Sequence, residues 1–321
     1  MNKKKIVSII VPTYNSEKNI VKCIEAIKSS DYNEIEIIVV DDCSKDSTVK
    51  LIKSKFKESV NLKKLDKNKG PAHARNLGVK YSKGLYLLFI DSDILIKKDT
   101  ITLMIEAINH NKRSVISQYF SSDYKYNSKI SEFNNLFDVF LKNEQFKDTL
   151  LPNTSCLMIK KEIFNEIKFN EKIKYACIED LEFGLNLRKK EYKVIMNKDI
   201  SVDHIKEYSF ISLIKMILTK SFYRIKLLKK SRLMATNHIP KNSILLFLSL
   251  IVMFSMFIAY GLNAFIYSVF SYLIIFTIIN IRFIRFISQR TNFLNAIYFI
   301  FLSLVYVVTW TIGSLLGMIK K

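Results

Sequence analysis

The sequence predicts an α/β domain on a doubly wound, mostly parallel sheet, followed by a basic amphipathic helix and two or three membrane-spanning helices. Three observations carry this. Unbroken apolar runs at Ile6–Val11, Ile35–Val40 and Leu85–Ile90 alternate with helical patterns, and such runs mark strands covered on both faces by helices. Residues 205–234 read as one cationic helix. The last 80 residues contain no Asp or Glu, although about a quarter of residues in a soluble domain are charged. The formal net charge of +21 first suggests a nucleic-acid binder. The cations, however, interleave with long aliphatics and not with aromatic stacking platforms. Disorder does not fit 49% hydrophobic residues.

The elements follow in order. Lys3–Lys5 and the run after them look like the start of a signal peptide. The run is too short, and Pro12 ends it without a small-residue cleavage site, so it is read as a buried strand. Ser16 is a good N-cap for the next helix. A second strand, Ile35–Val40, precedes a helix near Asp46–Phe56. The third, Leu85–Ile90, ends in Asp91-Ser92-Asp93. Sheets of this kind bind ligands at the carboxyl ends of their strands. Pro12-Thr13-Tyr14-Asn15, Asp41-Asp42 and Asp91-Ser92-Asp93 all fall there. Further on come a helix near Ser131–Phe146, a strand near Ser155–Lys160 and a helix opening at Ile178-Glu179-Asp180-Leu181. The N-terminal α/β domain is expected to span 1–204. Cys23, Cys43, Cys156 and Cys177 show no CxxC spacing and read as structural thiols of a reducing compartment.

In 205–241, Ile211, Ile214, Leu218, Phe222, Ile225 and Leu228 recur at helical spacing. Lys215, Lys220, Arg224, Lys226, Lys229, Lys230 and Arg232 crowd the other faces. Such a helix suits an anionic membrane surface. Ser243–Ile281 is 39 residues without a charge, roughly 58 Å of helix and nearly twice the bilayer core. Two spans (243–261 and 263–281) with a turn near Gly261-Leu262-Asn263 are expected, then a third at 293–317. The arginine-bearing loop Arg282–Arg290 belongs in the cytoplasm by the positive-inside rule. An in–out–in–out path satisfies both basic segments and leaves Lys320-Lys321 outside. A two-span arrangement, with one segment lying in the interface, is the alternative.

The chemistry begins with Asp91 and Asp93. Two carboxylates one residue apart at a strand end can approach one hard cation, Mg²⁺ or Mn²⁺, which completes its shell with water and phosphate oxygens. Asp42 at the end of the preceding run can accept from a base N–H or ribose hydroxyls. Lys69 and Arg75 can face phosphates. No glycine-rich phosphate cradle is present in the sequence.

These residues together resemble the family 2 glycosyltransferases, which have the GT-A fold. The blocks are Val7–Asn15, Ile38–Thr48 with Cys43 where the family usually has Gly, Asn68-Lys69-Gly70 with Ala74–Gly78, Asp91-Ser92-Asp93, and Glu179–Phe183 with Leu187-Arg188. The resemblance covers about residues 6–205. It implies that Pro12, Thr13, Tyr14, Glu17 and Asp42 line the nucleoside pocket with Arg75 beside it, and that Asp91 touches ribose. It implies that Asp93 holds the metal on the diphosphate, with Asp91 and His204 as further candidates, and that Asp180 is the general base. The implied reaction is inverting transfer of one sugar from a UDP or GDP sugar to an acceptor hydroxyl or phosphate at the cytoplasmic membrane face. The acceptor would be lipid-linked, polyprenyl phosphate or a glycan upon it, in cell-surface polysaccharide or glycoconjugate biosynthesis. Processive synthases of this superfamily carry QxxRW. The one Trp here, Trp310, has no Arg before it, which favours single-sugar transfer. Two other readings compete: an inactive membrane-anchored nucleotide-sugar scaffold, and a DxD phosphohydrolase of the haloacid dehalogenase type. The latter leaves the Pro12–Asn15 and Asp41-Asp42 blocks unexplained.

Overall fold

A computed structural model describes residues 6–111, 113–144, 152–173, 178–230 and 241–319. The expectations for Lys3–Lys5, Cys177, Arg232, Lys320 and Lys321 lie outside the described residues. The chain divides into two compact units, Met1–Tyr126 with Leu141–Glu207, and Asn127–Phe140 with Tyr208–Lys321.

The first unit begins β1 (Val7–Thr13), α1 (Ile20–Lys28), β2 (Ile35–Asp41), α2 (Thr48–Phe56), β3 (Asn61–Lys64), α3 (Pro71–Lys80) and β4 (Tyr86–Ile90). It continues β5 (Ile94–Leu95), α4 (Thr100–His110) and β6 (Ser114–Phe120). After α5 (Lys129–Glu144), most of which belongs to the other unit, come β7 (Cys156–Lys160), α6 (Lys161–Glu166), α7 (Glu179–Lys189) and β8 (Lys193–His204). The sheet order is β3-β2-β1-β4-β7-β6-β8-β5. Neighbours from β3 to β4 are parallel, β7 is antiparallel to both β4 and β6, and β8 runs parallel to β6. This is the mostly parallel α/β sheet that the apolar runs predict, in the GT-A-like form that the resemblance implies. All seven residues of β1 are buried, as a central strand covered on both faces requires.

Two register features position the site. Thr13 pairs with Asp41 at the ends of β1 and β2. β5 pairs antiparallel with the end of β8, Ile94 against His204, which carries His204 to the turn after β4. α3 lies close on β1, because a Cβ at Gly78 would collide with the Ile10 side chain.

The second unit contains α8 (Phe210–Lys230), α9 (Lys241–Ser288) and α10 (Phe293–Ile319). α9 breaks at Gly261, where φ is 75°, at the position expected for the turn. Past residue 281 the helix does not stop. Phe283 and Ile287 are buried and keep the apolar stripe going, so Arg282 and Arg285 sit on helix and not in a loop. Two stretches among the described residues are long and apolar enough to cross a membrane, Ile266–Ser288 (23 residues) and Phe293–Ile319 (27 residues). The buried stripe of α8 is Leu213, Ile217, Ser221 and Ile225, turned from the expected one, and Ile211 is 67% exposed. The reason is α10: a Cβ at Gly313 would meet Leu218 O at 2.8 Å, and one at Gly317 would meet Phe222 O at 2.5 Å. Small residues let the two backbones approach, and α8 is packed along a helix instead of lying free. Residues 127–140 join this unit through aromatics: Phe137 lies 4.5 Å from Tyr306 and 5.2 Å from Phe283, centroid to centroid.

Candidate active site at the strand ends

The turn after β4 is fastened on every side. Asp91 N–H donates to Ser155 O (2.8 Å), and Ser92 Oγ meets Ser16 Oγ (2.8 Å). Ile205 N–H donates to Asp93 O (2.9 Å). His204 stacks on Phe120 at 5.1 Å, its carbonyl accepts from the Tyr126 hydroxyl, and its Nε2 stands 3.6 Å from Asp93 Oδ2. Lys206 Nζ lies 3.8 Å from the same oxygen. Burial opposes the charge of Asp93, but His204 and Lys206 outweigh it and hold the carboxyl well below the usual range. Asp91 goes the other way. Burial lifts it, Arg75 pulls against that, and Asp93 adds to the rise.

Arg75 is 2% exposed and bridges two carboxylates. Nη2 donates to Asp91 Oδ1 (2.7 Å) and Nη1 to Glu179 Oε1 (3.0 Å). Burial opposes its charge, and Asp91 and Glu179 more than restore it. Burial also raises Glu179, with Arg75 pulling down. The guanidinium is thus turned to carboxylates and not to solvent. Asp180, next to Glu179, is half-buried in the first turn of α7, and its Oδ1 accepts from Leu181 N–H (2.7 Å).

On the β1 and β2 side, Asp42 is buried and accepts from Lys69 N–H and Gly70 N–H, both 2.7 Å. It thereby shapes the entry to α3, where Gly70 has φ 88°. Thr13 Oγ1 is buried with no hydrogen-bond partner among the described residues. Pro12 is buried and Tyr14 is 46% exposed. Glu17 Oε2 accepts from Ser47 N–H (3.0 Å), so its carboxylate caps the start of α2. Asn15 (φ 49°) and Cys43 (φ 66°) both adopt the left-handed conformation. This accounts for glycine being usual at the Cys43 position. Burial pushes the thiols of Cys23 and Cys156 far up, which fits inert structural cysteines.

Several site residues escaped the sequence reading. Glu179 was visible only as a neighbour of Asp180. Lys206 lies in the basic segment 205–241, where the sequence gives it no role of its own. Asn15 Oδ1 accepts from Lys45 N–H (2.8 Å) and Asp46 from Glu17 N–H (3.1 Å), lacing the first two strand-end loops together. Asn15 and Asp46 both stand in blocks quoted above, and their side chains, which readily accept from backbone N–H groups in turns, were the signal.

No group of three metal-ligating side chains occurs among the described residues. The donor set still fits a Mg²⁺ or Mn²⁺ that takes one or two carboxylates and leaves the rest to water and diphosphate. Asp93 is ionised and close to His204, and Asp91 keeps one oxygen outside its Arg75 bond.

Comparison with known proteins bears on the fold and the family. Over 99 residues the chain is 42% identical to the poly(ribitol-phosphate) beta-N-acetylglucosaminyltransferase TarS of Staphylococcus aureus, covering 29% of this chain and 17% of that protein. It is 29% identical over 185 residues to the glycosyltransferase GlyG of Streptococcus pneumoniae, covering 51% and 60%. The chain therefore spans less than two thirds of these relatives. The mannosyltransferase PcManGT of Pyrobaculum calidifontis, solved with GDP-Man and Mn²⁺, superposes with a TM-score of 0.68 at 15% identity, covering 96% of this chain and 86% of that one. At that identity the likeness concerns the fold. Residues 8–168 match the model of glycosyl transferase family 2, and with half of its length in that match the chain belongs to glycosyl transferase family 2.

Proposed function

We propose that the protein transfers one sugar, with inversion, from a nucleoside-diphosphate sugar to an acceptor hydroxyl or phosphate. The observation that carries this is the buried bridge Asp91–Arg75–Glu179, which brings the turn bearing Asp93 and the helix bearing Asp180 to one place. Pro12, Thr13, Tyr14 and Asp42 line the nucleoside end, and the partnerless Thr13 hydroxyl is suited to a polar ligand atom there. Asp91 meets the ribose on this reading. Asp93 would hold the divalent cation, with Asp91 or His204 as a second ligand. When bound, that cation offsets the negative charge developing on the diphosphate leaving group. Asp180 takes the acceptor proton as the oxygen attacks from the face opposite the leaving group, and one displacement inverts the anomeric centre. Lys206 adds fixed positive charge near the diphosphate.

The relatives' names support a place in cell-surface polymer biosynthesis. The stretches Ile266–Ser288 and Phe293–Ile319 support a multi-pass membrane protein. Arg282 and Arg285 near the end of the first stretch and Arg290 just after it favour a cytoplasmic site with a lipid-linked acceptor. The test is a panel of UDP and GDP sugars, scored for metal-dependent donor turnover by wild type and Asp180→Asn. The expected result is turnover by wild type and a loss of at least about 1,000-fold in the variant, with nucleotide binding kept. Undiminished transfer by Asp180→Asn overturns the assignment.

A further inference from the structure

The positive charge of residues 1–204 is not spread evenly. They hold 36 basic and 28 acidic residues, an excess of eight. Residues 45–69 alone hold nine lysines and three acids, an excess of six. This short stretch forms one margin of the sheet. α2 is the crossover from β2 to its parallel neighbour β3, and β3 is the outermost strand. Thr48, Ile52 and Phe56 are the buried side of α2. Lys50, Lys53 and Lys57 recur at i, i+3 and i+7 on the other side, with Lys55 beside them. Lys64 and Lys67 continue the strip along β3 and the loop after it. All six are exposed. Among the described residues none of the nine lysines forms an ion pair. Asp46, one of the three acids, is occupied by the N–H groups of Glu17 and Thr48 (3.1 and 3.0 Å). At the strand ends the strip reaches Lys69, whose N–H donates to Asp42.

Folding does not call for this arrangement. Like charges three and four residues apart repel on a helix. The helix dipole favours Lys53 and Lys55 in the last turn but disfavours Lys50 in the first. Guarding an open strand edge explains Lys64 and none of the lysines on α2. The strip is a row of unpaired cations about one helical turn apart, and a chain carrying anions at intervals matches such a row. A lipid surface fits less well. Helices that bind one set large apolar side chains beside their cations, and no large hydrophobic residue of 45–69 is exposed. Nucleic acid fits no better, because the one aromatic residue of this stretch, Phe56, is buried and cannot stack a base. We propose that this margin is a docking track for an anionic polymer, a sugar or polyol chain with repeated phosphate or carboxylate groups. Reading that polymer as the acceptor rests on the transfer proposed above, whereas its binding does not.

The experiment uses the full chain in detergent at about 0.1 M salt, with long-chain inorganic polyphosphate as the probe and its Kd as the readout. The strip variant is Lys50→Gln/Lys53→Gln/Lys57→Gln. A control, Lys189→Gln/Lys193→Gln/Lys198→Gln, removes the same charge from three other exposed positions. A lysine near an anionic surface counts for about fivefold in affinity. The strip variant should therefore bind polyphosphate at least about tenfold more weakly than wild type, and the control within about threefold of it. Binding of UDP and GDP with Mn²⁺ should be the same in all three. Equal losses in strip and control variants would make the effect one of net charge and overturn the proposal, as would wild-type affinity in the strip variant. If the strip variant instead loses affinity for phosphatidylglycerol doped into the micelles and keeps it for polyphosphate, the occupant is a lipid surface and the proposal falls. Should the triple variant fail to fold, Lys64→Gln/Lys67→Gln decides, with a fall of at least about threefold expected. Asp180→Asn measured alongside separates the two readings. If it transfers sugar, the reaction falls and the track stands. If it is inactive and the strip variant binds polyphosphate like wild type, the track falls alone.

Discussion

The two units solve opposite problems. The N-terminal unit hides charge: Arg75, Asp42 and Glu179 are each at most 5% exposed, and each is met by oppositely charged or backbone partners. The C-terminal unit displays apolar surface: Ile258, Tyr267, Leu294 and Phe293 are each at least 74% exposed, in a stretch of 80 residues without a carboxylate. Water punishes both arrangements, the first unless every charge is paired, the second unless something apolar covers it. Composition alone blends the two into a chain of 49% hydrophobic residues and +21. The separation appears only when residues are placed.

Substitutions that swap these regimes test the contrast. The largest stability effect is expected from Phe183→Ala. Phe183 is fully buried and stacked on Phe169, and a cavity there should cost about 3–5 kcal/mol, read by denaturant unfolding followed by circular dichroism. A change below about 1 kcal/mol would mean that this core is far looser than it looks. Next comes Ile278→Lys in the C-terminal unit. Ile278 is 66% exposed, so in water the change would be harmless or helpful. In a bilayer centre it costs roughly 3 kcal/mol, and the variant should be depleted from carbonate-washed membranes. Full membrane retention would break the membrane reading of this surface. The smallest effect belongs to Cys43→Gly. Relief of the left-handed strain at φ 66° favours the glycine by about 1 kcal/mol. Loss of the contact from Cys43 Sγ to Asp66 O and a freer unfolded chain offset part of that, so Tm should stay level or rise slightly. A clear fall in Tm would show that the thiol contact outweighs the strain.

Legibility followed the same division. Strands with both faces buried announce themselves, and β1, β2 and β4 lie within a residue or two of Ile6–Val11, Ile35–Val40 and Leu85–Ile90. The edge strand β3 did not, since Lys63 and Lys64 serve an exposed edge. The helix break at Gly261 was readable from uncharged length. The continuation through Arg282 and Arg285 was not, because it depends on Phe283 and Ile287 finding partners in three dimensions. In the site, Asp91, Asp93 and Asp42 were legible because strand ends are where such sheets bind ligands. The partners of Arg75 were not, since 16 and 104 residues separate it from Asp91 and Glu179. The stripe of α8 was misjudged by one residue because Gly313 and Gly317, on another helix, choose the face.

Gly261 has a consequence of its own. Among the described residues a Cβ there would meet nothing within 4 Å, so none of them forces the break. Only the torsion φ of 75° does. A side chain favouring right-handed torsion would leave nothing nearby to resist a single rod of 48 residues, about 72 Å long. On the three-span reading, such a rod would count as one crossing where the broken helix counts as two. Odd would become even, and everything downstream would change sides. On that reading one dihedral angle sets the parity of the C-terminal path.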